Sequence, residues 1–233
     1  MYSMTVAGEH GHIAPIRGNL CIKKVSKTEY VDLRDGEIYK FKIHETKDIQ
    51  SLMGAKQKCI DIIHANSTPD DVFMSITTQE NISEKERDRY FGYMNKFTRT
   101  DTFRECFGTN YLYTVEKQKR GALHSHLVCF APLVDFIPYR RLINVWRGII
   151  GGLGSVNCKR IDKPEHIGTY LAKYILKEFA SIEKYKRVYV PSKGLKQPIK
   201  STITEKKLRE LLPNLRIKKR VIEGEEMVVG YYW

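Results

Sequence analysis

The run Gly121-Ala-Leu-His-Ser-His-Leu-Val-Cys-Phe130 places two histidines one residue apart in a stretch with strand character. Side chains alternate faces along a strand, so His124 and His126 point the same way, a few ångströms apart. Taken alone, such a pair also suits a solvated face or a hydrogen-bonded place in the core. A carboxylate beside it changes the chemistry on offer. Glu116 ends the preceding strand, Tyr111–Glu116, with the parity of Leu112 and Thr114, and a turn at Lys119-Arg120-Gly121 can bring it near His124. Two imidazoles and one carboxylate suit Mn²⁺ or Mg²⁺, and such a set also takes Zn²⁺.

A second constellation lies downstream, in Thr169-Tyr-Leu-Ala-Lys-Tyr-Ile-Leu-Lys177. At 100° per residue, Ile167, Leu171, Ile175 and Phe179 form an apolar stripe. Tyr170 and Tyr174 stack at its edge, each followed three residues later by a lysine, Lys173 or Lys177. Amphipathic edge tyrosines beside solvated lysines would look the same. The functional alternative is nucleophilic attack on a phosphodiester. A phenol is a poor nucleophile near neutrality and needs a cation or metal beside it. Tyr170 lies further from the centre of the stripe than Tyr174 and is the expected principal nucleophile.

These residues need elements to position them. Val72–Thr78 reads as a strand, and Asp48–Ala65 and Ser83–Phe97 read as helices. Tyr111–Glu116 and Ala122–Phe130 read as a hairpin. A helix from Tyr139 to Trp146 and a strand Ser155–Cys158 follow. The tyrosine helix starts with Asp162 as cap and Pro164 in its first turn and runs to about Ile182. Asp35-Gly36 marks a further hairpin between Tyr30–Leu33 and Ile38–Ile43. Pro191–Pro198 reads as a loop, Thr204–Leu212 as a short helix, and a last hairpin turns at Glu223-Gly224. Helices alternating with hairpins indicate an α+β fold, an antiparallel sheet with helices packed on it. The expected division is an N-terminal extension over 1–70 packed on the core, a nuclease core over 71–200, and a helix and hairpin over 201–233.

Composition narrows the partners. The chain of 233 residues carries a formal net charge of +13, which attracts polyanions, nucleic acid first. Lys117, Lys119 and Arg120, beside the histidine strand, are the candidate DNA contacts. Five cysteines (Cys21, Cys59, Cys106, Cys129 and Cys158) form no CxxC pair, which argues for reduced thiols and against a zinc ribbon. No apolar run is long enough to span a bilayer, and residues 1–14 lack the order of a signal peptide, so a cytoplasmic protein is expected.

The ordered set Phe73-Met-Ser-Ile-Thr-Thr78, then Glu116…His124-Ser-His126, then Tyr170-Leu-Ala-Lys-Tyr174 resembles motifs 1, 2 and 3 of the HUH endonucleases. Within them it is most similar to the rolling-circle replication initiators of phages, plasmids and single-stranded DNA viruses. Ser192-Lys-Gly-Leu-Lys-Gln-Pro198 also resembles phage-type initiators. The likeness spans roughly Val72 to Pro198. One departure is Ser125, where the residue between the histidines is usually bulky and hydrophobic; it points away from the ligand face.

The resemblance implies a central five-stranded antiparallel sheet of the RRM-like Rep nuclease fold, flanked by helices. It implies metal ligation by Glu116, His124 and His126, and nicking of single-stranded origin DNA through a 5′-phosphotyrosine on Tyr170 or Tyr174. Lys173 and Lys177 would stabilise charge near the phosphate. The 233 residues contain no GxxxxGK[ST], so unwinding and synthesis are expected from a separate host helicase and polymerase. A mobilisation relaxase or a transposase of the same superfamily shares most of these features. A non-catalytic domain whose basic sheet stacks bases on aromatics would also explain the charge and the fourteen tyrosines. It leaves the ordered Glu, His, His and Tyr without a role.

Overall fold

The computed structural model describes residues 1–15, 22–26, 29–33, 35–40, 49–80, 86–118, 121–177, 188–222 and 225–233. In chain order these hold β1 (Tyr2–Ala7), β2 (His10–Pro15), β3 (Ile22–Lys24), β4 (Glu29–Asp32), β5 (Ile38–Lys40), α1 (Ile49–Asn66) and β6 (Val72–Thr78). There follow α2 (Arg87–Phe97), α3 (Asp101–Phe107), β7 (Tyr111–Lys117), β8 (Leu123–Cys129), α4 (Tyr139–Ile150), β9 (Gly154–Arg160) and α5 (Pro164–Lys177). The chain continues through β10 (Tyr189–Pro191), β11 (Ile199–Ile203), α6 (Glu205–Leu211), β12 (Arg216–Ile222) and β13 (Glu225–Tyr232).

The expected α+β fold is present. Its central sheet is five-stranded and antiparallel, in the order β10-β7-β8-β6-β9, with the histidine strand β8 in the middle. Period-two patterning splits β6 between two layers. Val72, Met74 and Ile76 are fully buried and join a core with Tyr90, Met94 and Phe97 of α2, Phe103 of α3, and Leu142 and Trp146 of α4. Phe73, Ser75 and Thr77 take the other face. There Leu112 of β7 and Val128 of β8 pack with Leu52, Ile62 and Ile63 of α1 and with Ile167 and Leu171 of α5. The sheet is thus covered on both faces, with the polar residues of β6, β7 and β8 on the α1/α5 side.

Local signals account for most boundaries. Gly151, at φ +67°, takes the left-handed conformation that ends α4, and its N–H donates to the Arg147 carbonyl. That stop lies four residues beyond the Trp146 expected from the sequence. The Trp146 indole N–H donates to the Thr77 carbonyl at 2.8 Å, fastening α4 to the end of β6. Thr204 caps α6 by accepting from the Lys207 N–H. The helix over Ser83–Phe97 is described from Arg87, since 81–85 lie outside the described residues. The same holds for 41–43 of the first hairpin, for the turn at 223–224 and for the tyrosine helix beyond Lys177.

Strands from the two ends of the chain share another antiparallel sheet, ordered β11-β1-β2-β13-β12. Tyr2 pairs with Ile203, and Ile13 pairs with Tyr231. Ile13, Ile203 and Leu208 form its small core. α1 packs against β1 and β2 as well as against α5, so it lies between the two sheets.

Candidate metal centre

The site begins with a tight turn. Gly121 N–H donates to the Gln118 carbonyl and Gln118 N–H to the Ala122 carbonyl, each at 2.8 Å, and Gly121 sits at φ +95°, where an L side chain is strained. This turn sets the β7–β8 register and pairs Glu116 with His124 and Thr114 with His126. Lys119 and Arg120, the rest of the expected turn, lie outside the described residues.

Glu116, His124 and His126 therefore converge on one face, at 7%, 8% and 6% exposure. The two Nε2 atoms are 2.7 Å apart; Glu116 Oε2 is 3.3 Å from His126 Nε2 and 3.6 Å from His124 Nε2. One donor atom from each of the three residues lies within 4.8 Å of the others. Ser75, paired with His126 across β6, places its Oγ 3.3 Å from His126 Nδ1. A partner on Nδ1 turns Nε2 toward the carboxylate, which is how an outer hydrogen bond orients a ligating imidazole.

The donor set fits a divalent cation. Two neutral nitrogens and one anionic oxygen satisfy a hard or borderline ion, and an anionic carboxylate this buried calls for a compensating charge. The donors carry a single negative charge, so a divalent ion held there leaves a net positive centre, matched to a phosphodiester.

Tyr170 reaches the same face from α5. It is 42% exposed, while Ile167 and Leu171 beside it are buried, as the apolar stripe requires. Its link to the histidines is Phe73. The Phe73 ring stacks on His126 at 5.6 Å between centroids and meets Tyr170 edge-on at 5.4 Å. Lys173, Tyr174 and Lys177 continue the helix, and their side chains lie outside the described part of the structure. Lys117 is exposed at the end of β7.

Ser125 points to the opposite face, as its parity requires, and is fully buried there, where its hydroxyl interacts with the Tyr90 phenol. Burial pushes that phenol well above its usual range. The bulk missing at Ser125 is thus supplied by an aromatic side chain from α2. Phe73 and Ser75 carry no individual role in the sequence reading. The signal that gives them one is parity, since Phe73, Ser75 and Thr77 share the face opposite the apolar Val72, Met74 and Ile76.

Residues 71–179 match the family model of the replication-associated protein ORF2/gene II protein. The central part of the chain is thus similar to a family of rolling-circle replication initiators. The matched segment opens at β6, closes just past α5, and contains the three donors, Phe73 and both tyrosines. No curated protein and no solved structure matches the chain. Among the described residues, no helix is long and apolar enough to cross a membrane.

Proposed function

We propose that this protein initiates rolling-circle replication by nicking single-stranded origin DNA and rejoining it through a phosphotyrosine link. One observation carries the reading: Phe73 bridges Tyr170 to His126, within a face where Glu116, His124 and His126 converge. A buried structural cluster has no need of an exposed phenol at its rim.

Glu116, His124 and His126 would hold Mn²⁺ or Mg²⁺, which when bound polarises the non-bridging oxygens of the scissile phosphate. The phenol oxygen of Tyr170 forms the new P–O bond as the P–O3′ bond breaks. The phenol proton is lost, and the leaving 3′ oxygen takes up a proton to become the hydroxyl that primes synthesis. The 5′ phosphate stays esterified to the tyrosine. Tyr174, one turn on, serves the second transfer that rejoins the strand. Lys173 and Lys177 lie at the spacing that suits neutralising the phosphate. A host helicase and polymerase act on the freed end, in the host cytoplasm.

The deciding experiment incubates the protein with single-stranded oligonucleotides from the parent replicon, with Mn²⁺, with Mg²⁺, or with chelator. A covalent protein–DNA adduct and a free 3′-hydroxyl product, both needing the metal, are expected. Binding without cleavage under every metal condition would instead support a non-catalytic nucleic-acid-binding domain.

A further inference from the structure

A concave groove of about 1010 Å³ runs along β10, the edge strand of the central sheet on the side nearest Glu116. Its walls come from segments far apart in sequence: α1, the end of α2, α3, and the 189–197 segment. Lys58, Arg99, Arg104 and Lys193 line it, and no Asp or Glu does. All four cations are exposed, and none is in an ion pair among the described residues.

We infer that this groove binds the sugar–phosphate backbone of DNA flanking the nick, outside the metal centre. Charge and shape support this together. Four cations with no carboxylate among them make a local positive field, and concave low-dielectric walls focus it. Hydroxyl and amide groups from Thr98, Ser192 and Gln197 sit among the cations, the mix of donors typical of phosphate contacts.

Base reading is not what the groove is built for. Its two aromatics are committed: Tyr111 donates its hydroxyl to Thr98 Oγ1 at 3.0 Å, and Tyr189 is half-buried against the sheet. Neither offers the open face on which bases stack. The groove therefore positions DNA without reading its sequence. It also gives a place to the Ser192–Pro198 segment. Ser192 is fastened to the sheet through its N–H to the Tyr111 carbonyl at 2.8 Å and by accepting the Tyr111 N–H at 3.1 Å. That anchor sets Lys193 at the rim.

Register gives the distance to the site. Tyr189 pairs with Thr114 and Pro191 with Leu112, two and four residues along β7 from Glu116. At about 3.3 Å per residue, the groove begins within about 7–13 Å of the metal ligands. A strand leaving the site passes directly into it.

This inference rests on the proposed DNA-nicking reading, and its test separates the two. The full chain is compared with an Arg99→Ala/Arg104→Ala/Lys193→Ala variant and with a Lys200→Ala/Lys206→Ala/Arg216→Ala control, which removes equal charge from the second sheet and α6. Affinity is measured against salt for a single-stranded origin oligonucleotide and for the same site with a duplex flank, with circular dichroism to check folding. The groove variant is expected to lower the slope of log affinity against log salt by about 2–3, and to lose affinity about tenfold or more near 0.15 M salt, while the control keeps the wild-type slope. The arm with the larger loss identifies single-stranded or duplex DNA as the occupant. Equal slopes for groove variant and wild type on both DNAs would overturn the groove and leave the nicking reading standing. Equal losses in groove variant and control would reduce the effect to net charge and overturn it as well. A wild-type chain that binds neither DNA would overturn both readings together.

Discussion

His124 Nε2 stands 2.7 Å from His126 Nε2, and both face the same oxygen of Glu116. Three donors aimed at one point from two paired strands should bind one ion per chain. Titration calorimetry with Mn²⁺ is expected to show a single site, lost in the His124→Ala/His126→Ala double variant. Glu116→Ala should weaken binding about 10–100-fold or more, by comparison with the loss of supporting groups around other metal sites. Nicking should vanish in either single His variant while circular dichroism stays near wild type. Wild-type Mn²⁺ affinity in the double variant would place the centre elsewhere.

The nucleophile should divide the two tyrosines. Tyr170 is exposed and linked to the histidines through Phe73. Tyr170→Phe keeps the ring and removes the attacking oxygen, so the covalent adduct should fall at least about a hundredfold. Tyr174→Phe should still form the adduct and fail chiefly in rejoining. The two steps can be scored on a denaturing gel. An adduct lost only in Tyr174→Phe would reverse the assignment, and one retained in Tyr170→Phe/Tyr174→Phe would end the phosphotyrosine mechanism.

Phe73 is a positioning residue, and its effect should exceed its contribution to stability. Because it is only half-buried, Phe73→Ala should cost about 1–3 kcal/mol, below the value for a fully buried ring. A misplaced nucleophile costs rate even when binding survives, so adduct formation should drop about tenfold or more with little change in DNA affinity. Phe73→Tyr should restore most of the rate. A rate loss no larger than the unfolded fraction explains would leave Phe73 a packing residue only.

The central sheet is legible because its signals are local. The alternation in Val72–Thr78, the turn at Gly121 and the stripe through Ile167 and Leu171 each lie within one element or one hairpin. Neighbouring hairpins then need only to be laid side by side. The pairing of Tyr2 with Ile203 leaves no such trace, since about two hundred residues separate the partners. β10 reads as loop because Tyr189-Val-Pro191 is short and ends in proline, which is tolerated at a sheet edge. α3 escapes a sequence reading at seven residues, though Thr100 caps it by accepting the Phe103 N–H. The donor set is legible through parity and spacing. The groove cations are not, because four segments meet there only in three dimensions.

Stability should fall on the alkaline side, and Tyr189 identifies part of the cause. Burial, with Cys59 and Asp61 nearby, pushes its phenol up to about 12 from an ordinary 10.0. Burial raises Cys158 to about 12 from 9.0, and moves Cys59 and Cys129 up as well. The folded state therefore keeps protons that the unfolded chain releases from pH about 9 upward. With fewer protons on the unfolded chain, the unfolding free energy decreases as pH rises through that window. Urea midpoints should be level from pH 7 to about 8.5 and then decline steadily toward pH 11. Tyr189→Phe removes one of these groups, so its midpoint should decline less steeply than wild type above pH 10. Parallel declines in the two proteins would show that Tyr189 ionises as freely in the folded chain as in the unfolded one, contrary to its place between β7 and α1.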